Sequence, residues 1–317
     1  MEIQYTTSIN GTDKEKVLLL IEASLQAYNA FNDDDPEKCQ KKEIVAPAGF
    51  DCVECWTGID AIFNHDKTVE CYGVVFRSHL APYTYIFAFR GTSSILDMLD
   101  DLGAESTSFT PYEKSVEIPS GVTVESGFYD VYSSARKNIP SMQSQLFQLI
   151  DKYEASDKPI DQLYITGHSL GSALSELFTL DVALSRPSIT ASNINYACPR
   201  VGNRDFVTFY EQQAAQQNNN TRTLRVQNTY DKVPCVPLED MGYQHLSYAC
   251  IIAFYKDSWI GKADLLACHS ALNYQAVLKC AAENEQGICV CKKLNVPGND
   301  YAVTSKKPEK STICSFW

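Results

Sequence analysis

The chemistry of this chain is concentrated in Gly167-His168-Ser169-Leu170-Gly171. A G-x-S-x-G segment sets a serine on a tight turn between a strand and a helix, with its hydroxyl presented at the end of the strand. The two glycines are needed where a Cβ would collide with the crossing backbone. The required context is present. Leu163–Thr166 reads as a short apolar strand, and Leu170–Leu184 as a buried helix. A helix starting at Leu170 also places the positive end of its dipole beside Ser169, which favours negative charge there. Without that context the pattern is only a glycine-rich connection.

A serine hydroxyl is a poor nucleophile until a base takes its proton. On this type of turn the partners follow in the order serine, acid, histidine. Of the five histidines, His65 and His79 precede the serine and His168 belongs to the turn, so His245 and His269 remain. Asp231, in Asn228-Thr-Tyr-Asp-Lys-Val-Pro, follows a predicted strand at Thr223–Val226. Open α/β sheets place their sites at that carboxyl end; position alone equally fits a turn-forming aspartate. An acyl-transfer site also needs donors for the oxyanion, each worth about 2.7–4 kcal/mol. Leu170 N–H is one candidate. Thr92, in Phe89-Arg90-Gly91-Thr92-Ser93-Ser94, is the other, and it equally suits a helix cap. Beyond it, Ile95, Leu96, Met98, Leu99 and Leu102 share one side of a segment whose other side carries Asp97, Asp100 and Asp101. By spacing alone this is an ordinary amphipathic surface helix of about two turns.

The elements that must position these groups alternate in type. Lys14–Asn32 has helical periodicity and ends at Asp33-Asp34-Asp35-Pro36. Cys39–Asp60 reads as loop; Tyr72–Phe76, Tyr83–Phe89 and Ile194–Ala197 as strands; Met142–Tyr153 as helix. Strands alternating with helices predict an α/β fold with a mainly parallel central sheet flanked by helices. The character changes after Cys280, where lysine-rich loops begin, so residues 1–280 are expected to form the main domain and 281–317 an extension.

Composition narrows the function classes. The 317 residues are 44% hydrophobic and 21% charged, enough apolar surface for a folded core. The net charge of −12 argues against nucleic-acid phosphates and against electrostatic capture by anionic membranes. No apolar run approaches the ~18 residues of a transmembrane helix. The 12 cysteines include one C-x2-C, Cys52 and Cys55, and one C-x-C, Cys289 and Cys291, neither beside a histidine pair. That spacing favours disulfides in an oxidising compartment over zinc in a reducing one. The sequons at Asn10 and Asn219 agree with secretion, whereas the opening MEIQYTTSIN has neither the basic nor the apolar region of a signal peptide. A secreted form would therefore be a mature one, and the cytoplasm is the alternative.

Four segments together resemble the class 3 lipase family, which includes filamentous-fungal triacylglycerol lipases. They are Phe89-Arg-Gly-Thr-Ser-Ser, Gly167-His-Ser-Leu-Gly, Pro199-Arg-Val-Gly-Asn203 and Asp231-Lys-Val-Pro-Cys-Val-Pro237, in the family's order. The resemblance implies an α/β-hydrolase fold and hydrolysis of carboxylic esters, acylglycerols first, at a lipid–water interface. It implies Ser169 as nucleophile, Asp231 as acid, His269 rather than His245 as base, and Thr92 with Leu170 as the oxyanion hole. It makes the segment carrying Ile95, Leu96, Met98, Leu99 and Leu102 a lid, and it implies no metal or organic cofactor. It further implies a Cys52–Cys55 disulfide and a Cys39–Cys280 bridge. Phospholipase A1 and feruloyl esterase activities fall under the same resemblance. An inactive lipid- or partner-binding relative is the alternative outside catalysis, against which the intact Ser169, Asp231 and His269 speak. The chain departs from the family pattern at Glu125, where a histidine is common, and at Asp97-Met98, where the lid often has tryptophan.

Overall fold

Thr84–Phe89 shows how the core is laid out. Tyr85, Phe87 and Phe89 enter one apolar cluster, whereas Ile86 and Ala88 enter another. Side chains alternate across a strand, so both faces of this strand are covered, as in a parallel sheet packed between helix layers. In this computed structural model, residues 3–10, 14–32, 34–59, 68–92, 105–217, 223–310 and 314 are described. The lid candidates Ile95, Leu96, Met98, Leu99 and Leu102 lie outside them.

Eight strands form the central sheet, in the order Gln4–Thr6, Tyr248–Ile252, Leu224–Asn228, Ala191–Tyr196, Gln162–Gly167, Thr84–Phe89, Val69–Ser78 and Phe50–Ile59. The pairings are parallel from the first strand to Thr84–Phe89, and the last two are antiparallel. The sheet is therefore mixed but mainly parallel. The helices Met142–Glu154 and Leu170–Ser185 bury Leu146, Phe147, Leu174 and Phe178 in one cluster; Lys14–Asn29 and Ala271–Glu283 bury Leu20, Ile21, Val277 and Leu278 in the other. No helix among the described residues is long and apolar enough to cross a membrane.

Two expectations about local structure are corrected. Within Cys39–Asp60, Phe50–Ile59 is a ten-residue strand rather than loop. Its cysteines, acids and glycine hid the pattern, yet it pairs along Val69–Ser78, with register shifts at Cys52/Glu54 and Trp56/Thr57, and buries Trp56. The first helix stops at Asn29 rather than Asn32, because Gln40 folds back and hydrogen-bonds the carbonyls of Ala30 and Phe31.

The cysteine pairing implied by the resemblance is also corrected. Cys52 and Cys55 are both unbonded. Both lie in the extended strand Phe50–Ile59, whose rise of about 3.3 Å per residue works against the ~7 Å Cα separation a disulfide spans. Cys39 bonds Cys71, and Cys280 bonds Cys289 across a short turn, so no Cys39–Cys280 bridge forms. The Cys71 N–H donates to Pro36 O at 2.9 Å, which brings the approach to Cys39 against the strand. A third bond, Cys235–Cys314, ties the chain's end to the loop after Asp231. Cys52, Cys55, Cys198, Cys250, Cys268 and Cys291 are free. Thiol titration of the unfolded, unreduced protein is accordingly expected to count six thiols, rising to 12 after reduction.

Two buried carboxyls mark the packing around the sheet. Glu125 caps the helix Ser126–Ser133, accepting from Phe128 N–H at 2.8 Å, and burial pushes its pKa up to about 7. Glu176, on the helix after Ser169, accepts from Asn195 Nδ2 at 3.1 Å, and burial raises it likewise to about 7. Both hold their proton more tightly folded than at their ordinary value of 4.5. The stability they add is thus full below pH ~4.5 and is lost as pH rises through ~7. Melting temperature is expected to fall over that window, and the Glu125→Gln, Glu176→Gln double variant to flatten the fall.

Candidate active site

Ser169 sits where the strand Gln162–Gly167 becomes the helix Leu170–Ser185, with φ 61° and ψ −131°. A non-glycine residue rarely adopts such a backbone. The neighbours enforce it. A Cβ at Gly167 would strike the Gly171 backbone, and one at Gly171 would meet the Phe89 carbonyl at 2.5 Å. The turn is pinned by Ser169 N–H donating to Tyr196 O at 3.1 Å and Gly171 N–H to His168 O at 3.0 Å. Gly91 is equally confined, since its Cβ would lie 3.0 Å from Ser169 Cβ. The loop that carries Thr92 therefore runs directly against the serine.

The amides of Ser169, Gly171 and Ser172 are committed to Tyr196, His168 and Ser169 carbonyls. Leu170 N–H, first in its helix, has no acceptor within the helix. Thr92 lines a cavity of about 720 Å³ together with His168, His269, Tyr28 and Leu266, a volume suited to a small organic ligand. Leu170 directly follows Ser169 in the turn, and Thr92 directly follows Gly91, which lies against Ser169.

His269 ends the short helix Leu265–His269, and Asp231 follows the strand Leu224–Asn228. The two side chains, both fully buried, meet with His269 Nδ1 2.8 Å from Asp231 Oδ2. The same oxygen accepts from Tyr274 OH at 2.9 Å, and Oδ1 accepts from Val233 N–H at 3.0 Å. Tyr274 OH in turn accepts from Asn228 N–H at 2.7 Å. Asp231 is thereby a fixed acceptor that holds His269 with a proton on Nδ1. Nε2 of His269 is buried without a hydrogen-bond partner among the described residues, and as the other ring nitrogen it is the one able to take a proton. His245 is elsewhere: its Nε2 donates to Pro234 O at 2.6 Å, and burial together with Arg225 and Arg200 keeps it neutral.

His168 and Tyr28 belong to the site although sequence reasoning assigned them no role. His168 Nε2 lies 2.8 Å from His269 O, so that nitrogen carries the proton and donates. Its Nδ1 is then an acceptor, taking the Tyr28 hydroxyl proton at 2.8 Å. Burial and the neighbouring His269 hold His168 neutral, with its pKa well below the ordinary value. Tyr28 is on the first helix, 140 residues from His168. Tyr28→Phe leaves a buried ring nitrogen unpaired, and denaturant unfolding is expected to register a loss of about 1–3 kcal/mol.

A nucleophile-type serine turn on a mainly parallel sheet, with a histidine–carboxylate pair from later segments of the chain, defines an α/β-hydrolase fold. Residues 86–241 match the family described as Lipase (class 3). The chain belongs to the class 3 lipase family. It is 30% identical over 225 residues to phospholipase A(1) DAD1, chloroplastic, of Arabidopsis thaliana, covering 68% of this chain and 45% of that one. It is 29% identical over 186 residues to the secreted mono- and diacylglycerol lipase MDL3 of Malassezia globosa, covering 57% and 56%. The chain thus spans about half the length of these curated relatives. Lipase II from Rhizopus niveus has a similar fold, with TM-score 0.56 at 19% identity over 79% of this chain and 82% of that one.

Proposed function

We propose that this protein hydrolyses carboxylic esters through an acyl-enzyme on Ser169, with acylglycerols as the substrate class. The observation that carries this reading is the His269–Asp231 bond at 2.8 Å, with the opposite ring nitrogen unpartnered among the described residues and the His269 ring 4.6 Å from that of His168 on the Ser169 turn. His269 Nε2 takes the Ser169 proton as the oxygen attacks the ester carbonyl. Leu170 N–H and Thr92 hold the oxyanion as charge develops on it. The imidazolium, stabilised by Asp231, protonates the leaving alcohol; water then releases the acid by the same steps. No step calls for a metal or an organic cofactor. The secreted relative and the three disulfides support an oxidising compartment.

A phospholipid substrate is the second reading, favoured by the likeness to a phospholipase A(1). Tributyrin and phosphatidylcholine offered side by side separate the two. Tributyrin turnover that climbs once droplets form would place the reaction at a lipid–water interface, and saturation below the solubility limit would not. Ser169→Ala is expected to lose turnover of every ester and labelling by a fluorophosphonate. Asp231→Asn is expected to keep the fold while kcat falls about 10⁴-fold, because His269 would then hold the wrong tautomer. A parent protein that neither labels at Ser169 nor cleaves any ester would refute the proposal.

A further inference from the structure

The extension after Cys280 has no role in the chemistry described so far, yet it reaches the candidate active site. Its strands Lys293–Asn295 and Ala302–Ser305 pair with each other, and the second also pairs with Phe254–Lys256. The Cys280–Cys289 bond fixes its start and the Cys235–Cys314 bond its end. Between the two strands lies the turn at Gly298, where a side chain's first carbon would come within 3.8 Å of Leu272, a residue that lines the cavity. Tyr301, three residues on, lines the 720 Å³ cavity that holds Thr92 and His269.

Tyr301 is held there from two sides. Its hydroxyl accepts from Asn273 Nδ2 at 3.3 Å, and the same Nδ2 donates to Ala267 O at 2.8 Å, two residues before His269. Asn273 Oδ1 accepts from Asn299 Nδ2 at 2.7 Å, a second link from the extension. Lys256 Nζ lies 4.6 Å from the centre of the Tyr301 ring and 3.1 Å from Asp264 Oδ2. Asp264 caps the helix carrying His269, accepting from Ala267 N–H at 3.0 Å. An aromatic ring with its hydroxyl bonded and its face covered by a cation has few rotamers open to it. It is a fixed wall rather than a mobile side chain.

We infer that Tyr301 is a specificity-determining residue: the extension supplies a rigid wall of the ester-binding cavity, and that wall sets the size of the group admitted beside His269. The inference rests on reading this cavity as the ester site. A single methylene's worth of space in a pocket shifts relative kcat/KM about tenfold or more, so a ring's worth is readily measured.

The test is kcat/KM for two ester series, one varying the acyl chain on p-nitrophenol and one varying the alcohol on a butyryl group. Tyr301→Ala is expected to raise the bulky-to-small ratio about tenfold in one of the two series, and Tyr301→Trp to lower it in that same series. Tyr301→Phe keeps the ring and is expected to keep the ratio. The ratio cancels the concentration of active enzyme, so partial misfolding does not imitate the effect. If the Ala variant fails to fold, the Trp and Phe variants still decide the matter. Ratios unmoved by Ala and Trp in a parent with Ser169-dependent turnover overturn this inference alone. A parent without Ser169-dependent turnover overturns the reading of the site, and this inference with it.

Discussion

Ser169 keeps its backbone at φ 61° because three stretches of chain meet there without room for one more carbon. Gly167 faces the Gly171 backbone, Gly171 faces the Phe89 carbonyl, and Gly91 faces Ser169 itself. A strained residue costs of order 1–3 kcal/mol and persists only when its surroundings determine it. Here the surroundings are the ends of two adjacent parallel strands, Thr84–Phe89 and Gln162–Gly167, in register from Thr84↔Gln162 to Phe89↔Gly167. The sheet thus brings the Thr92 loop and the Ser169 turn to one point, and every other part of the site is arranged about it.

Around that point runs a buried polar network in which each donor has a matching acceptor. Tyr28 gives its proton to His168, His168 gives one to the His269 carbonyl, and His269 and Tyr274 both give to Asp231. Burial makes any break in such a chain expensive, because a stranded polar group keeps its full desolvation cost. The same burial depresses the basicity of His168 and raises the pKa of Tyr274 well above its ordinary value. Both stay neutral, so their hydrogen-bond directions do not change with pH across the ordinary range. The open end of the network is the Nε2 of His269.

The outer layers carry a second kind of constraint. The sheet is covered on both faces by helices whose apolar residues enter two separate clusters. The first helix, the helix after His269 and the C-terminal extension all close around the same cavity. The extension is bound to the rest of the chain by strand pairing with Phe254–Lys256 and by the Cys235–Cys314 disulfide near Asp231. Elements far apart in sequence therefore share responsibility for one pocket.

Much of this was legible in the linear sequence because it is local. The strand–turn–helix at Ser169 is written in glycine spacing and apolar periodicity, and the alternation of strands and helices announces a parallel sheet. The order of serine, aspartate and histidine narrowed the histidine to two, and the family resemblance singled out His269. What stayed hidden depends on contacts between distant segments. Phe50–Ile59 carries strand formers such as Phe50, Val53, Trp56, Thr57 and Ile59, but Asp51, Glu54 and Gly58 interrupt their alternation, and it is the pairing with Val69–Ser78 that makes it a strand. Cys39 bonds Cys71 because folding sets their Cα atoms 5.3 Å apart, a distance no spacing rule contains. Tyr28, 140 residues from His168, and Tyr301, 32 residues beyond His269, reach the cavity only through packing. The sequence by itself determined the turn, the sheet type and the groups able to react; the tertiary structure decided which groups touch, because contact is set by the packing of whole helices and strands rather than by neighbours along the chain.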